Sequence, residues 1–175
     1  MADTQRSLAD NLLRLADNTT RQISPQDLRD LLVSALGGYG EVYTTGGTGT
    51  QALTSSPTLI NQITTNGDSS NVVPDQANNR LTISTAAVYQ ITANISWTSD
   101  SVSDVFTFEI KKNDASMIAG QKVLQRCVAA NEPNSITIGG QESLAAADYI
   151  QLFASCDASK TLVVKELNFR VKRLS

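Results

Sequence analysis

Between Ala87 and Trp97, apolar and polar residues alternate without a break. Tyr89, Ile91, Ala93, Ile95 and Trp97 take one set of positions, and Gln90, Thr92, Asn94 and Ser96 take the other. A period of two is the repeat of an extended strand; wound into a helix, the same residues would scatter around the axis and bury nothing in common. The chain must therefore hold a strand with one face covered and one face wet. Val105-Phe106-Thr107-Phe108-Glu109-Ile110 repeats the pattern and stops at Lys111-Lys112-Asn113-Asp114, a turn. Further strands are expected at Leu81-Thr82-Ile83, Val123 to Val128, Ser135 to Ile138, Tyr149 to Phe153, and Leu162-Val163-Val164 through Leu167 to Val171. Short strands joined by polar turns, with no helical segment between them, call for an antiparallel sandwich rather than a parallel α/β sheet.

Three zones divide the 175 residues. Residues 1–40 have a helical pattern. Leu8, Leu12 and Leu15 form one stripe, and Asn18-Thr19-Thr20 marks a turn. A second start then follows: Ser24 as cap, Pro25 in the first helical position, Asp27 reaching back to free amides, and Ile23 stapled against Leu28. Leu28, Leu31, Leu32, Ala35 and Leu36 make its apolar face, and Gly37-Gly38 stops it. Helices shorter than about 12–15 residues are marginal alone in water, so these leucines need each other, identical chains or a larger partner. Residues 41–79 are rich in Gly, Thr, Ser and Asn and lack Lys and Arg between Val42 and Asn79. They read as an extended connector that becomes the first strands, with Thr58 to Ile63 and Val72-Val73 as candidates. Residues 80–175 hold the clear strands.

Composition narrows the function. A net charge of −3 gives no electrostatic footprint for nucleic acid. No apolar run reaches the roughly 18 residues that span a bilayer, and the N-terminus lacks a signal-peptide pattern, so synthesis in a cytoplasm is expected. The absence of histidine removes Ser–His–Asp and Cys–His chemistry and the commonest metal ligand. The expectation is a non-enzymatic protein without cofactor or metal. Cys127 and Cys156 are too few for a disulfide framework and read as small buried residues. Asp100, Asp104 and Glu109 do not form the dense Asp/Asn loop of a calcium site. Gly46-Gly47-Thr48-Gly49-Thr50 lacks the lysine and helix of a phosphate loop. Lys111-Lys112 and Arg170-Lys172-Arg173 read as solvated strand ends, with an acidic partner surface as the alternative for the tail.

Three local patterns, in order, carry a resemblance: Ala87 to Trp97; Phe108-Glu109-Ile110-Lys111-Lys112-Asn113; and Leu144-Ala145-Ala146-Ala147-Asp148-Tyr149-Ile150-Gln151-Leu152, closed by the Phe169 strand. Together they resemble the jelly roll of the complement globular-head and tumour-necrosis-factor-like superfamily. This chain has Ala87 and Ala147 where relatives have Gly, and Asn113-Asp114 where they have Asn-Gly. The resemblance implies a trimer with aromatic and aliphatic residues along its axis. Tyr89, Ile91, Ile95, Trp97, Phe106, Phe108, Tyr149, Phe153 and Phe169 are the candidates for that contact or for the core. The string Ile23 to Leu32 followed by Gly37-Gly38-Tyr39-Gly40 is similar to the opening of many tailed-bacteriophage virion proteins. That second resemblance implies a place on the virion surface. Residues 1–40 would dock on the major capsid protein through Leu8, Leu12, Leu15, Leu28, Leu31, Leu32 and Leu36, as in a capsid decoration (cement) or head-fibre protein. The alternative is a tail-fibre or tailspike component that meets a tail or baseplate protein and a host surface glycan.

Overall fold

The computed structural model describes residues 37–114 and 116–174. The helical pattern expected over residues 1–40, with its seven docking leucines, lies outside the described residues apart from Gly37 to Gly40. Twelve strands follow: β1 Tyr39–Thr45, β2 Gln51–Leu53, β3 Thr58–Leu59, β4 Thr65–Ser70, β5 Val72–Asp75, β6 Arg80–Ile83, β7 Ala87–Ser99, β8 Val105–Lys112, β9 Ser116–Arg126, β10 Asn134–Leu144, β11 Tyr149–Cys156 and β12 Lys160–Arg173. All pairings are antiparallel. One six-stranded sheet runs β10-β7-β12-β1-β4 with β2 beside β12; the other runs β5-β6-β11-β8-β9 with β3 beside β11. The fold is mainly β, as expected, and the two sheets pack face to face.

The core lies between the sheets. The five apolar positions of the β7 alternation all point into it, beside Leu167, Phe169 and Val171 from β12 of the same sheet and facing Phe106, Phe108 and Ile110 from β8 of the other. Trp97 stands at its centre, its ring 4.5 Å from Phe106 and 5.5 Å from Phe108. Eight of the nine residues considered for the core or an axis are therefore covered within one chain, Phe153 on the outer side of its sheet, and Tyr149 is half-buried. β11 sends Ile150, Leu152, Ala154 and Cys156 inward, so the alternate residues Tyr149, Gln151, Phe153 and Ser155 face the other way.

Residues 41–79 are part of the sandwich itself. A single compact unit begins at Gly38, and β1 to β5 occupy places in both sheets. The Thr58 to Ile63 alternation is a strand only at Thr58–Leu59; beyond it, two glutamine side chains do the work of a ladder. Gln51 Nε2 donates to the Leu59 carbonyl (2.7 Å), and the Asn61 amide donates to Gln51 Oε1 (3.1 Å). Gln62 Nε2 donates to the Leu162 carbonyl (3.1 Å), and the Val164 amide donates to Gln62 Oε1 (2.9 Å). A primary amide carries a donor and an acceptor side by side, as a peptide group does. Val123 to Val128, expected as one strand, corresponds to a longer β9 that stops at Arg126. Its first half was hidden by an irregularity: β8 and β9 slip in register between Glu109 and Lys111, and Gly120 turns there at φ +75°.

Some turns between the strands hold non-glycine residues in left-handed backbone. Asn113 (φ 53°) and Asp114 (φ 60°), between Lys112 and its partner Ser116, are both left-handed, a backbone state that Asn and Asp tolerate better than other side chains. Ala147 is left-handed at φ 71°, where its Cβ crowds the following peptide. Ala147→Gly is therefore expected to stabilise the protein by about 1 kcal/mol, read as a rise in the urea midpoint with an unchanged slope.

Candidate functional site

The two outer faces of the sandwich are built differently. On the β5-β6-β11-β8-β9 side the charges are largely paired with one another, while Val73 and Leu124 stand exposed. Glu109, 5% exposed, sits between Lys111 (3.3 Å) and Lys122 (3.9 Å). The Lys111 ammonium lies 4.5 Å above the Phe153 ring, and the Arg80 guanidinium lies 5.0 Å above Tyr149 while pairing with Asp75 at 3.1 Å. Tyr149 donates to Asp114 (2.9 Å), which pushes its hydroxyl pKa up. Lys112 reaches Glu142 and Asp148. The lysine pair expected to be merely solvated is thus held in ion pairs, and Phe153 is the floor of this arrangement.

The opposite face also carries charges, but among the described residues they form no ion-pair network. Register sets out its rows across β10, β7, β12 and β1. They read Gln141-Gln90-Lys172-Tyr39, then Gly139-Thr92-Arg170-Glu41, then Thr137-Asn94-Asn168-Tyr43, then Ser135-Ser96-Glu166-Thr45. Neighbouring rungs are tied. Thr137 Oγ1 donates to Asn94 Oδ1 (2.9 Å), Asn168 Nδ2 donates to Glu41 Oε2 (2.9 Å), and the Gly46 amide donates to Glu166 Oε1 (2.9 Å). Two open hollows of about 590 and 500 Å³ follow the face and meet at Glu41. Arg170 and Lys172 make no ion pair among the described residues, and Tyr39 is 47% exposed. This face was not singled out from the sequence. The alternation placed Gln90, Thr92, Asn94 and Ser96 outward, but only register brings them level with residues from β1, β10 and β12.

The carboxylates considered for a cation do other work. Asp100 accepts from the Thr161 amide (2.9 Å), and this bond draws its carboxyl below the ordinary range. Asp104 is lowered by the Ser101 hydroxyl (2.7 Å) and then by Lys160 (3.4 Å). Glu109 is on the charge-paired outer face described above. Among the described residues, no three His, Cys, Asp or Glu side chains converge as metal ligands, and no helix is long and apolar enough to cross a membrane. Cys127 and Cys156 are both buried and unbridged, and burial raises the Cys156 thiol pKa.

No protein family and no curated protein matches the sequence. Solved structures do match the fold. One is an Eiger TNF from S. frugiperda, with TM-score 0.55 and 11% identity, covering 79% of this chain and 94% of that one. Another is the globular domain of the zebrafish complement 1qA protein, with TM-score 0.54 and 13% identity, covering 77% and 94%. At such identities the likeness establishes a jelly roll of this type.

Proposed function

We propose that this chain is a non-enzymatic structural subunit of a tailed-bacteriophage particle. It acts as a homotrimer that decorates (cements) the capsid or forms a head fibre, docked on major capsid protein through residues 1–40. The observation that carries the assembly is the contrast between the outer faces. One face satisfies its charges by itself. The other presents rows of amides and hydroxyls, two tyrosines, open hollows and two cations unpaired among the described residues, Arg170 and Lys172, a surface that another copy can cover where it brings acidic partners to those cations. A threefold ring closes through heterologous contacts, so this face would meet a different patch of its neighbour. The work is thermodynamic: apolar area covered across subunit joints stabilises a shell by about 25 cal/mol per Å², before the costs of association. The virion assignment is supported by the sequence resemblance of the N-terminal string.

Sedimentation equilibrium of the full chain is expected to give three copies, and Asn94→Lys, which sets an unpaired charge into the open face, is expected to give one. Leu28→Asp with Leu32→Asp should leave the trimer intact and abolish co-sedimentation with phage heads. A monomeric wild type overturns the assembly, and undiminished attachment of the leucine variant overturns the docking. The second reading, a tail-fibre or tailspike component that binds a host receptor or glycan, draws on the same hollows. Tyrosine rings, amides and hydroxyls are the groups that hold sugars. It requires the face to stay open in the assembled protein, and gold-labelled protein on the tail rather than the head would favour it.

A further inference from the structure

The sequence holds a single Asn-Gly pair, Asn66-Gly67. It lies on β4, at the end of its sheet beside β1, and Asn66 is exposed. β1 and β4 slip in register here. Val42 is level with Asn66 and Gly40 with Ser69, so Glu41 alone faces the two residues Gly67 and Asp68. A bulge of this kind leaves backbone outside the regular ladder. The hollow of about 500 Å³ lined by Glu41 and Asp68 opens beside the pair and brings solvent to it.

Three groups converge on Asn66-Gly67. The Asn66 side-chain carbonyl accepts from the Gln76 amide (2.8 Å), a donor placed to stabilise negative charge on Oδ1. Gly67 has no side chain to shield its backbone nitrogen. Glu41 lies over Gly67: its Oε1 is 2.8 Å from the point where a Cβ on residue 67 would stand, so any other residue there would push the carboxylate away. Arg170 stands opposite Glu41 on β12, yet the carboxylate turns to Asn168 instead, whose Nδ2 donates to Oε2 (2.9 Å). That bond fixes the carboxylate and leaves Oε1 without a hydrogen-bond partner among the described residues. An amide carbon with a polarised oxygen, an adjacent nitrogen and a held carboxylate are the parts of an intramolecular acyl transfer.

We propose that Asn66-Gly67 is a self-modifying site, at which the folded protein converts Asn66 to aspartate and isoaspartate with Glu41 as general base. The Gly67 nitrogen attacks Asn66 Cγ while Glu41 Oε1 takes its proton, and the Gln76 amide holds the oxyanion on Oδ1. The Cγ–Nδ2 bond then breaks. Glu41 returns the proton to the leaving nitrogen, ammonia departs, and a five-membered succinimide remains. Solvent water opens this ring at one carbonyl or the other, giving aspartate or isoaspartate; no electrons are exchanged. Either product carries a new negative charge. Aspartate keeps the bond to the Gln76 amide and strengthens it, and isoaspartate lengthens β4 by one methylene at the place where its register already slips. The reaction lies within one chain and stands apart from any assembly.

The full chain is incubated at pH 6, 7 and 8 and digested. Mass spectrometry follows the change from NH2 to OH at residue 66, and an isoaspartyl methyltransferase assay counts the isoaspartate. Without a positioned base the attacking nitrogen loses its proton to hydroxide, so the rate climbs about tenfold per pH unit; an ordinary carboxylate base is ionised throughout that range and gives a level rate. The folded wild type is expected to convert at a nearly level rate, and at pH 6 faster than the same chain unfolded in urea. Glu41→Gln keeps an acceptor for Asn168. It is expected to slow conversion at pH 6 by about a hundredfold, the low end of what a positioned base contributes, and to restore the hydroxide slope. Should that variant unfold, the wild-type pH profile decides by itself. A folded chain that converts more slowly than the unfolded one, or a hydroxide slope in the wild type that Glu41→Gln leaves unchanged, overturns the site.

Discussion

Trp97→Ala is expected to lower the stability of the sandwich by about 4 kcal/mol and its melting temperature by roughly 15 °C. The indole is fully buried, wedged between the strand that carries it and the rings of Phe106 and Phe108. Its removal leaves a hole that the flanking strands cannot close, because β7 is locked on both sides, to β10 and to β12. Loss of transfer free energy and the residual cavity therefore add. The control is Trp97→Phe. The indole Nε1 has no hydrogen-bond partner, so a phenyl ring removes an unsatisfied donor along with part of the volume. Its cost should stay below about half that of the alanine. Urea unfolding at one fixed protein concentration measures both, since any self-association makes melting concentration-dependent. Equal costs for the two variants would show that packing volume is not what Trp97 contributes.

How much of this was legible beforehand depends on whether a residue's fate is decided locally. The β7 alternation fixes its own inside and outside, and so do β8 and β12; their buried residues could be named from the chain alone. β11 could not be divided in the same way, because Tyr-Ile-Gln-Leu-Phe-Ala-Ser-Cys is apolar at both parities. Phe153 looks like core until Lys111, from a neighbouring strand, is seen to cover it. β4 was illegible for the opposite reason, and β5 showed only as the pair Val72-Val73. Thr65–Ser70 buries no side chain fully, and Pro74 sits in an outermost strand where a missing amide costs nothing. The open face escaped notice because no single segment contains it. Asn94, Thr137, Asn168 and Tyr43 form one row only through three separate strand pairings. Periodicity states which way a side chain points; register, a tertiary property, states what stands beside it.

The glutamine staples are the least foreseeable element and give the second large effect. Gln62→Ala is expected to cost about 3 kcal/mol, because it strands the Val164 amide and the Leu162 carbonyl beneath the 60–64 segment. Along that edge of β12, β1 reaches only to Glu166 and β2 only to Leu162, so no strand is positioned to take over those two groups; the side-chain amide of Gln62 is their partner. Thr44 Oγ1, which donates to the Gln62 carbonyl at 2.5 Å, fixes the backbone from which the side chain reaches. Gln62→Glu separates the two halves of the contact. The carboxylate still accepts from Val164 but opposes the Leu162 carbonyl with a second acceptor, so it should be at least as damaging as alanine at pH 7. It should recover part of the loss on acidification, when a protonated carboxyl can donate again. Urea midpoints at pH 7 and pH 5 measure this, and exchange of the Val164 amide localises it. A Gln62→Ala protein as stable as the wild type, with that amide still protected, would mean that water or a shifted strand replaces the side chain and that the segment is held by Ile60, Ile63 and its backbone bonds to Thr44, Asn79 and Leu152.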